Sequence, residues 1–222
     1  MAITDVEVRA KQSRGISSDA ILTMVYRALE RREITGECLV DVGCGEGSFL
    51  GYVRSRFVRY VGIDAVRYEY LPDEAEFFRL DLDAVGLPLP EGSADVVIAV
   101  EVIEHLENPR DFMRKLIRLV KPGGWVIVTT PNQLSLLSFL TLAVKQRFHA
   151  FQDVHYPTHL TALLEVDLKR IAGECDLSEI EIEYSLHGRI PLTSTHYPKL
   201  LTRCFPRALS ENLLVIGKKA TA

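Results

Sequence analysis

The sequence predicts an α/β fold built on a right-handed parallel sheet, and three observations carry that expectation. Leu39-Val40-Asp41-Val42 runs into Gly43-Cys44-Gly45-Glu46-Gly47 and then Ser48-Phe49-Leu50. That is a short apolar strand, a turn with glycine at every second position, and a helix start. Ala94-Asp95-Val96-Val97-Ile98-Ala99-Val100 is almost wholly apolar, as a parallel strand covered on both faces must be. Short strands ending near Asp64, Asp81 and Thr130 alternate with helix-length connections, which is the pattern of repeated βα units.

In chain order, residues 1–36 read as an N-terminal helical cap, because Ile21, Leu22, Val25, Tyr26 and Leu29 share one helical face. In the glycine turn, three missing side chains let the backbone bend sharply and let a ligand lie against bare peptide. The following helix, expected over 48–57, points its N–H groups at that ligand. Tyr60-Val61-Gly62-Ile63-Asp64 is the second strand. Asp64 lies about 20 residues past the turn, where nucleotide-binding sheets place an acid that takes ribose hydroxyls. The competing reading is a strand-end Asp that caps the next helix. Glu76-Phe77-Phe78-Arg79-Leu80-Asp81 is a third strand, and the proline-rich 87–93 stretch is a turn. Asn108-Pro109 opens a helix to about Val120, Lys121-Pro122-Gly123-Gly124 ends it, and residues 125–130 form the fifth strand. A helix over 160–173 and strands over 177–184 and 212–218 complete a single domain, 1–222. Two insertions, 132–159 and 186–210, interrupt it.

The formal charge of −4 gives no global attraction to nucleic acid or to an anionic membrane. Cys38, Cys44, Cys175 and Cys204 show no paired or zinc-like spacing, which suits reduced thiols in a cytosolic enzyme. The N-terminus lacks a signal-peptide pattern. The most apolar run, 134–144, is about half the roughly 20 residues that cross a bilayer. A cytoplasmic protein is expected, with no transmembrane segment and at most peripheral membrane contact.

With these motifs in place, the chain resembles the class I S-adenosylmethionine-dependent methyltransferases, in the branch of the ubiquinone-biosynthesis O-methyltransferases. The resemblance rests on the glycine turn, Val61-Gly62-Ile63-Asp64, Arg79-Leu80-Asp81, Ala94-Asp95-Val96-Val97 with Glu101-Val102-Ile103-Glu104-His105, and Leu119-Val120-Lys121-Pro122-Gly123-Gly124. The GxGxG spacing also departs from the GxGxxG that cradles a dinucleotide pyrophosphate. The resemblance implies a Rossmann-like class I methyltransferase fold, a seven-stranded mostly parallel sheet with one antiparallel strand and helices on both faces. It implies S-adenosyl-L-methionine as cofactor, with Asp41 and Gly43 near its amino group and Cys44, Gly45 and Gly47 at the backbone approach. Asp64 with Ala65 would meet the ribose, Asp81 and Leu82 the adenine edge, and the main chain of Val100 and Glu101 the methionine side.

An oxygen acceptor must also lose a proton, and His105 is the first candidate for general base, with His155 and His159 behind it. Glu101, Glu104 and His105 could instead converge on a divalent metal if their turn is helical. The resemblance to small-RNA 2′-O-methyltransferases adds His159 as a further metal ligand. The third reading is a helix start that merely walls the cofactor. The apolar run 134–144, bordered by Lys145 and Arg147, is either a buried lid helix or a lipid-facing one. The 186–210 stretch has Arg189, Lys199, Arg203 and Arg207 and no acidic residue, which suits an anionic acceptor. Methylation of a lipid-, quinone- or saccharide-like small molecule is the leading expectation. A metal-dependent RNA ribose methyltransferase and a non-catalytic partner subunit with this fold are the alternatives.

Overall fold

The computed structural model describes Ala10 and residues 15–83 and 86–221. The rest of the N-terminal cap ahead of residue 15 lies outside the described residues. The framework is one seven-stranded sheet in the order β3-β2-β1-β4-β5-β7-β6. Its strands are β1 (Gly36–Val42), β2 (Phe57–Asp64), β3 (Glu76–Arg79), β4 (Ala94–Ala99), β5 (Val120–Pro131), β6 (Leu177–Tyr184) and β7 (Asn212–Lys219). β1 pairs in parallel with both β2 and β4. Only β7 runs against the others, antiparallel to β5 and β6. This is the mostly parallel sheet with one reversed strand that the sequence resemblance implies.

The apolar strands are covered on both sides, as their composition requires. Val96 and Ile98 of β4 pack in one core with Val25 and Leu29 of helix α1 (Asp19–Arg31) and Leu50 and Val53 of helix α2 (Leu50–Val53). Val97 and Ala99 point the other way. They join Phe112 and Leu116 of helix α3 (Pro109–Leu119) and Leu168 and Ile171 of helix α5 (Glu165–Glu174). α3 starts cleanly because Asn108 accepts the Asp111 N–H at 3.0 Å and Pro109 occupies the first turn, where no donor is needed.

Several boundaries differ from the sequence expectation. The helix after the glycine turn shrinks from 48–57 to Leu50–Val53, because Phe57 is drawn into β2 opposite Gly36. Lys121-Pro122-Gly123-Gly124 lies inside β5, where Val120 pairs with Ala94 and the register then shifts before Val96 pairs with Trp125. The helix expected from residue 160 begins at Glu165. Leu160 and Thr161 instead donate their N–H groups to the Glu104 carbonyl, at 2.8 and 3.0 Å, which holds that segment extended. The first insertion forms helix α4 (Leu136–Lys145) and two single 3₁₀ turns, His149–Phe151 and Asp153–His155. The second forms helices α6 (Lys199–Cys204) and α7 (Pro206–Leu209). No described helix is long and apolar enough to cross a membrane.

Phe112 is among the largest fully buried side chains and ties α3 to the sheet. Phe112→Ala is expected to lower unfolding stability by about 3–5 kcal/mol. Urea unfolding checks this, and a loss under about 1 kcal/mol would mean that α3 does not anchor this core.

Candidate active site

The glycine turn is pinned to the end of the neighbouring strand. Gly43 and Cys44 donate their N–H groups to the Ile63 carbonyl at 2.6 and 3.3 Å, and Gly45 donates to the Asp64 carboxylate at 2.9 Å. All three turn glycines have positive φ, between 52 and 79°. A Cβ on Gly43 would fall 2.3 Å from the Val102 side chain, and one on Gly45 would fall 2.1 Å from the Gly15 carbonyl oxygen. A Cβ on Gly47 would meet Leu71 at 2.7 Å. Gly45 and Gly47 therefore admit the protein's own segments. The sequence expectation of a ligand approach at those two positions is not what their surroundings provide.

A cavity of about 680 Å³ opens at the C-terminal ends of β1, β2 and β4. Of the expected cofactor residues, Asp41, Gly43, Cys44, Asp64, Ala65, Asp81, Leu82, Val100 and Glu101 line it, and Gly45 and Gly47 do not. The described lining contains six carboxylates and no Lys or Arg. Even with part of it held neutral by burial, such a wall offers a cationic ligand hydrogen-bond acceptors and opposes a pyrophosphate.

Asp41 is buried, and one of its oxygens accepts the hydroxyl of Tyr60 while the other has no partner among the described residues. Burial pushes its carboxyl up to about 7, the Tyr60 hydrogen bond opposes this, and the nearby Asp64 charge adds to it. Asp64 accepts backbone N–H groups on both oxygens, from Gly45 and, at 3.2 Å, from Val66. Its carboxyl is also raised by burial, against those backbone bonds. Asp81 is exposed at the rim and accepts the Asp83 N–H at 3.0 Å. Tyr60 is a site residue that sequence reasoning missed; its signal is a phenol at the head of the apolar run that ends at Ile63.

The Glu-Glu-His segment is a single 3₁₀ turn, Ile103–His105, entered through Glu101 at φ 54°. That kink separates the two acids. Glu101 is held by the Thr129 hydroxyl and the Asn212 amide, each at 2.8 Å, so it cross-links β5 and β7. Burial and the Glu104 charge raise its carboxyl well above the ordinary range. Glu104 is fully buried, takes the Thr130 hydroxyl at 3.1 Å on one oxygen and has no partner for the other among the described residues. Burial pushes its carboxyl up to about 8. Because its carbonyl captures Leu160 and Thr161, His159 is brought over the turn.

His105 and His159 meet edge to face with centroids 4.8 Å apart, and His155 stacks on His159 at 5.4 Å. His105 Nδ1 lies 2.8 Å from the Thr158 carbonyl and His159 Nδ1 lies 2.6 Å from the Ala150 carbonyl. A carbonyl partner requires each Nδ1 to carry the proton in the neutral ring. His159 is lowered to about 4, chiefly by burial and then by His105, so it is neutral at ordinary pH. Ligand atoms of Glu104, His105 and His159 lie within 4.8 Å of one another. The fourth expected metal ligand, Glu101, is outside this group because Thr129 and Asn212 hold it away.

A family model described as a methyltransferase domain matches residues 17–181. The chain belongs to this family. A ubiquinone biosynthesis O-methyltransferase of Albidiferax ferrireducens is 28% identical over 162 residues, covering 63% of this chain and 64% of that protein. The mitochondrial ubiquinone biosynthesis O-methyltransferase of Schizosaccharomyces pombe is 30% identical over 153 residues, covering 62% of this chain and 52% of that one. The match thus spans less than two thirds of these relatives' length. In fold, the chain is similar to a solved S-adenosylmethionine-dependent methyltransferase from Archaeoglobus fulgidus, with TM-score 0.65 and 18% identity. That likeness covers 97% of this chain and all of that one. S-adenosylmethionine is the cofactor this family membership brings. The residues present fit it: an unpartnered Asp41 oxygen suits an ammonium, and an acidic wall without described Lys or Arg suits a sulfonium.

With Asp41 raised to about 7, the ligand-free folded chain keeps a proton that the unfolded chain releases near 4. Its contribution to stability is therefore lost as pH rises through about 7. Asp41→Asn is expected to raise ligand-free stability at about pH 8 by about 1–3 kcal/mol and to remove stabilisation by S-adenosylmethionine. Thermal denaturation with and without the cofactor tests both effects. A variant less stable than the parent, yet still stabilised by the cofactor, would overturn the assignment.

Proposed function

We propose that this chain transfers a methyl group from S-adenosylmethionine to a hydroxyl of a lipid-, quinone- or saccharide-like small molecule. The observation that supports this reading most is the acidic cavity wall with its unpartnered Asp41 oxygen, together with the histidine group at its rim. Asp41 would bind the amino group of the cofactor, Asp64 the ribose hydroxyls, and Asp81 with Leu82 the adenine edge. The main chain of Val100 and Glu101 would run along the methionine side. When bound, S-adenosylmethionine supplies a methyl carbon already activated by its sulfonium. The chain's own contribution is alignment, which can be worth roughly 7–11 kcal/mol of the barrier, and removal of the acceptor proton. His105 is the assigned base, oriented through the Thr158 carbonyl. The relatives named for ubiquinone O-methylation support oxygen as the acceptor atom. An RNA acceptor gains nothing from a wall of carboxylates.

The unpartnered Glu104 oxygen beside two imidazoles favours a second reading for proton removal. Glu104, His105 and His159 fit a divalent cation in donor type, since both imidazoles give their Nδ1 proton to a backbone carbonyl, as metal-bound histidines do. Such an ion would lower the pKa of an acceptor hydroxyl.

An acceptor screen with labelled S-adenosylmethionine against quinone, lipid and saccharide pools tests the reading, and Asp64→Ala is expected to abolish both labelling and thermal stabilisation by the cofactor. Stabilisation that survives this change would remove Asp64 from the ribose site. His105→Asn is expected to reduce turnover about 10²–10⁴-fold while leaving that stabilisation intact. Chelation separates the two readings of the rim: activity insensitive to chelator supports His105 as base. Activity lost on chelation, restored by a divalent metal and lost in Glu104→Gln assigns the cluster to a cation.

A further inference from the structure

The two insertions carry helices whose amphipathy is inverted. In α4, Leu136, Phe139, Leu140, Ala143 and Val144 repeat at helical spacing and all are exposed, Phe139 at 59%. The residue α4 buries is Ser138, whose hydroxyl accepts the His149 N–H at 3.2 Å and lies 3.4 Å from the Gln133 side-chain oxygen. In α6 the pattern repeats: Thr202 is fully buried, while Leu200 is 73% exposed and Leu201 and, just past the helix, Phe205 are exposed too. α7 packs against both helices, so the two apolar faces flank one segment. The Asn132 amide fixes that segment by donating to the carbonyls of Arg207 and Ser210, at 2.7 and 2.8 Å. Neither helix is a buried lid. Each shows its apolar side to the outside, and scattered surface hydrophobics do not account for a stripe five residues long.

The unpaired charge around these faces is basic among the described residues, while three of their arginines are paired, Arg147 with Asp153, Arg189 with Glu211 and Arg207 with Glu165. Lys145, Lys199 and Arg203 form no ion pair among the described residues. The stretches 132–152 and 186–210 contain no acidic residue. A second copy is a poor occupant, because a two-fold contact would set these cations against their own images. An anionic bilayer matches both properties, since apolar side chains enter the acyl boundary while Lys and Arg stay at the headgroups.

We propose that the α4–α6 face docks this protein on the surface of an anionic phospholipid bilayer. The face is linked to the cavity. α4 packs on the His149–Phe151 turn, that turn packs on Asp153–His155, and the exposed Val154 and Tyr156 belong to the cavity lining. A docked molecule would hold its cavity rim near the membrane, where a sparingly soluble acceptor is concentrated. Docking itself does not depend on the methyl-transfer reading.

Co-sedimentation of the full chain with vesicles tests the proposal. The protein should bind vesicles of equimolar phosphatidylcholine and phosphatidylglycerol, and should not bind phosphatidylcholine alone. Each cation near the surface contributes about fivefold, so Lys199→Gln with Arg203→Gln should weaken binding about thirtyfold. Raised salt should act in the same direction. Phe139→Glu with Leu200→Glu should abolish binding, and an unchanged thermal denaturation curve establishes that this variant is folded. Failure of the parent to bind anionic vesicles, or equal binding by the folded Phe139→Glu, Leu200→Glu variant, would overturn the proposal. So would a parent that is dimeric by analytical ultracentrifugation, turns monomeric in that variant and binds no vesicle, which would make the face a self-interface.

Discussion

The cavity depends on one set of contacts, the attachment of the glycine turn to the end of β2. Parallel pairing sets Asp41 beside Gly62 and Val42 beside Ile63. The turn then donates three successive N–H groups, two to the Ile63 carbonyl and one to the Asp64 carboxylate. Gly62 makes this closeness feasible, because a Cβ there would lie 2.7 Å from the Cys44 sulfur. Without these bonds the turn would be an exposed loop, and the buried oxygen of Asp41 would have no wall around it. The chain fold, the orientation of Asp64 and the shape of the cavity are therefore one arrangement rather than three.

That arrangement concentrates carboxylates in a place that burial penalises. Asp41, Glu101 and Glu104 are all raised by desolvation, yet each is treated differently by its neighbours. Glu101 is satisfied by Thr129 and Asn212 and acts as a cross-link between strands. Among the described residues, Asp41 and Glu104 each have one partnered and one unpartnered oxygen. Native chains rarely leave a buried acceptor unmatched; among the described residues the two carboxylates that do so face the same cavity, while the third such group, the Ser93 hydroxyl, lies outside its lining. The cost in stability is what a site looks like before its ligand is present.

Much of this was legible in the sequence because it rests on local rules. Continuous apolar runs located β1, β2 and β4, the acid at its end marked β2, and Asn108-Pro109 located the start of α3. Most residues expected around the cofactor do line the cavity. What escaped depends on contacts distant in sequence. Nothing local shows that Gly45 and Gly47 are small for the sake of Gly15 and Leu71. The left-handed backbone at Glu101 is equally silent, though it removes that acid from the histidine group. The capture of residues 160 and 161 by the Glu104 carbonyl delays α5 and also delivers His159. Periodicity found the apolar helix of the first insertion but could not tell a covered face from an open one, because both have the same spacing.

The reversal of β7 has a consequence for how such a molecule can be varied. Its first residue, Asn212, pairs with Pro131 at the end of β5, and Tyr184 at the end of β6 pairs with Leu213. The segment between β6 and β7 thus departs and returns at the same edge of the sheet, with its two ends one strand spacing apart. A parallel last strand would force that connection to travel to the opposite edge. Here it is a detachable cassette: its length can change with little extra closure entropy, and its content can change without disturbing the sheet's pairing. New specificity can be fitted to the same cofactor platform by exchanging one loop.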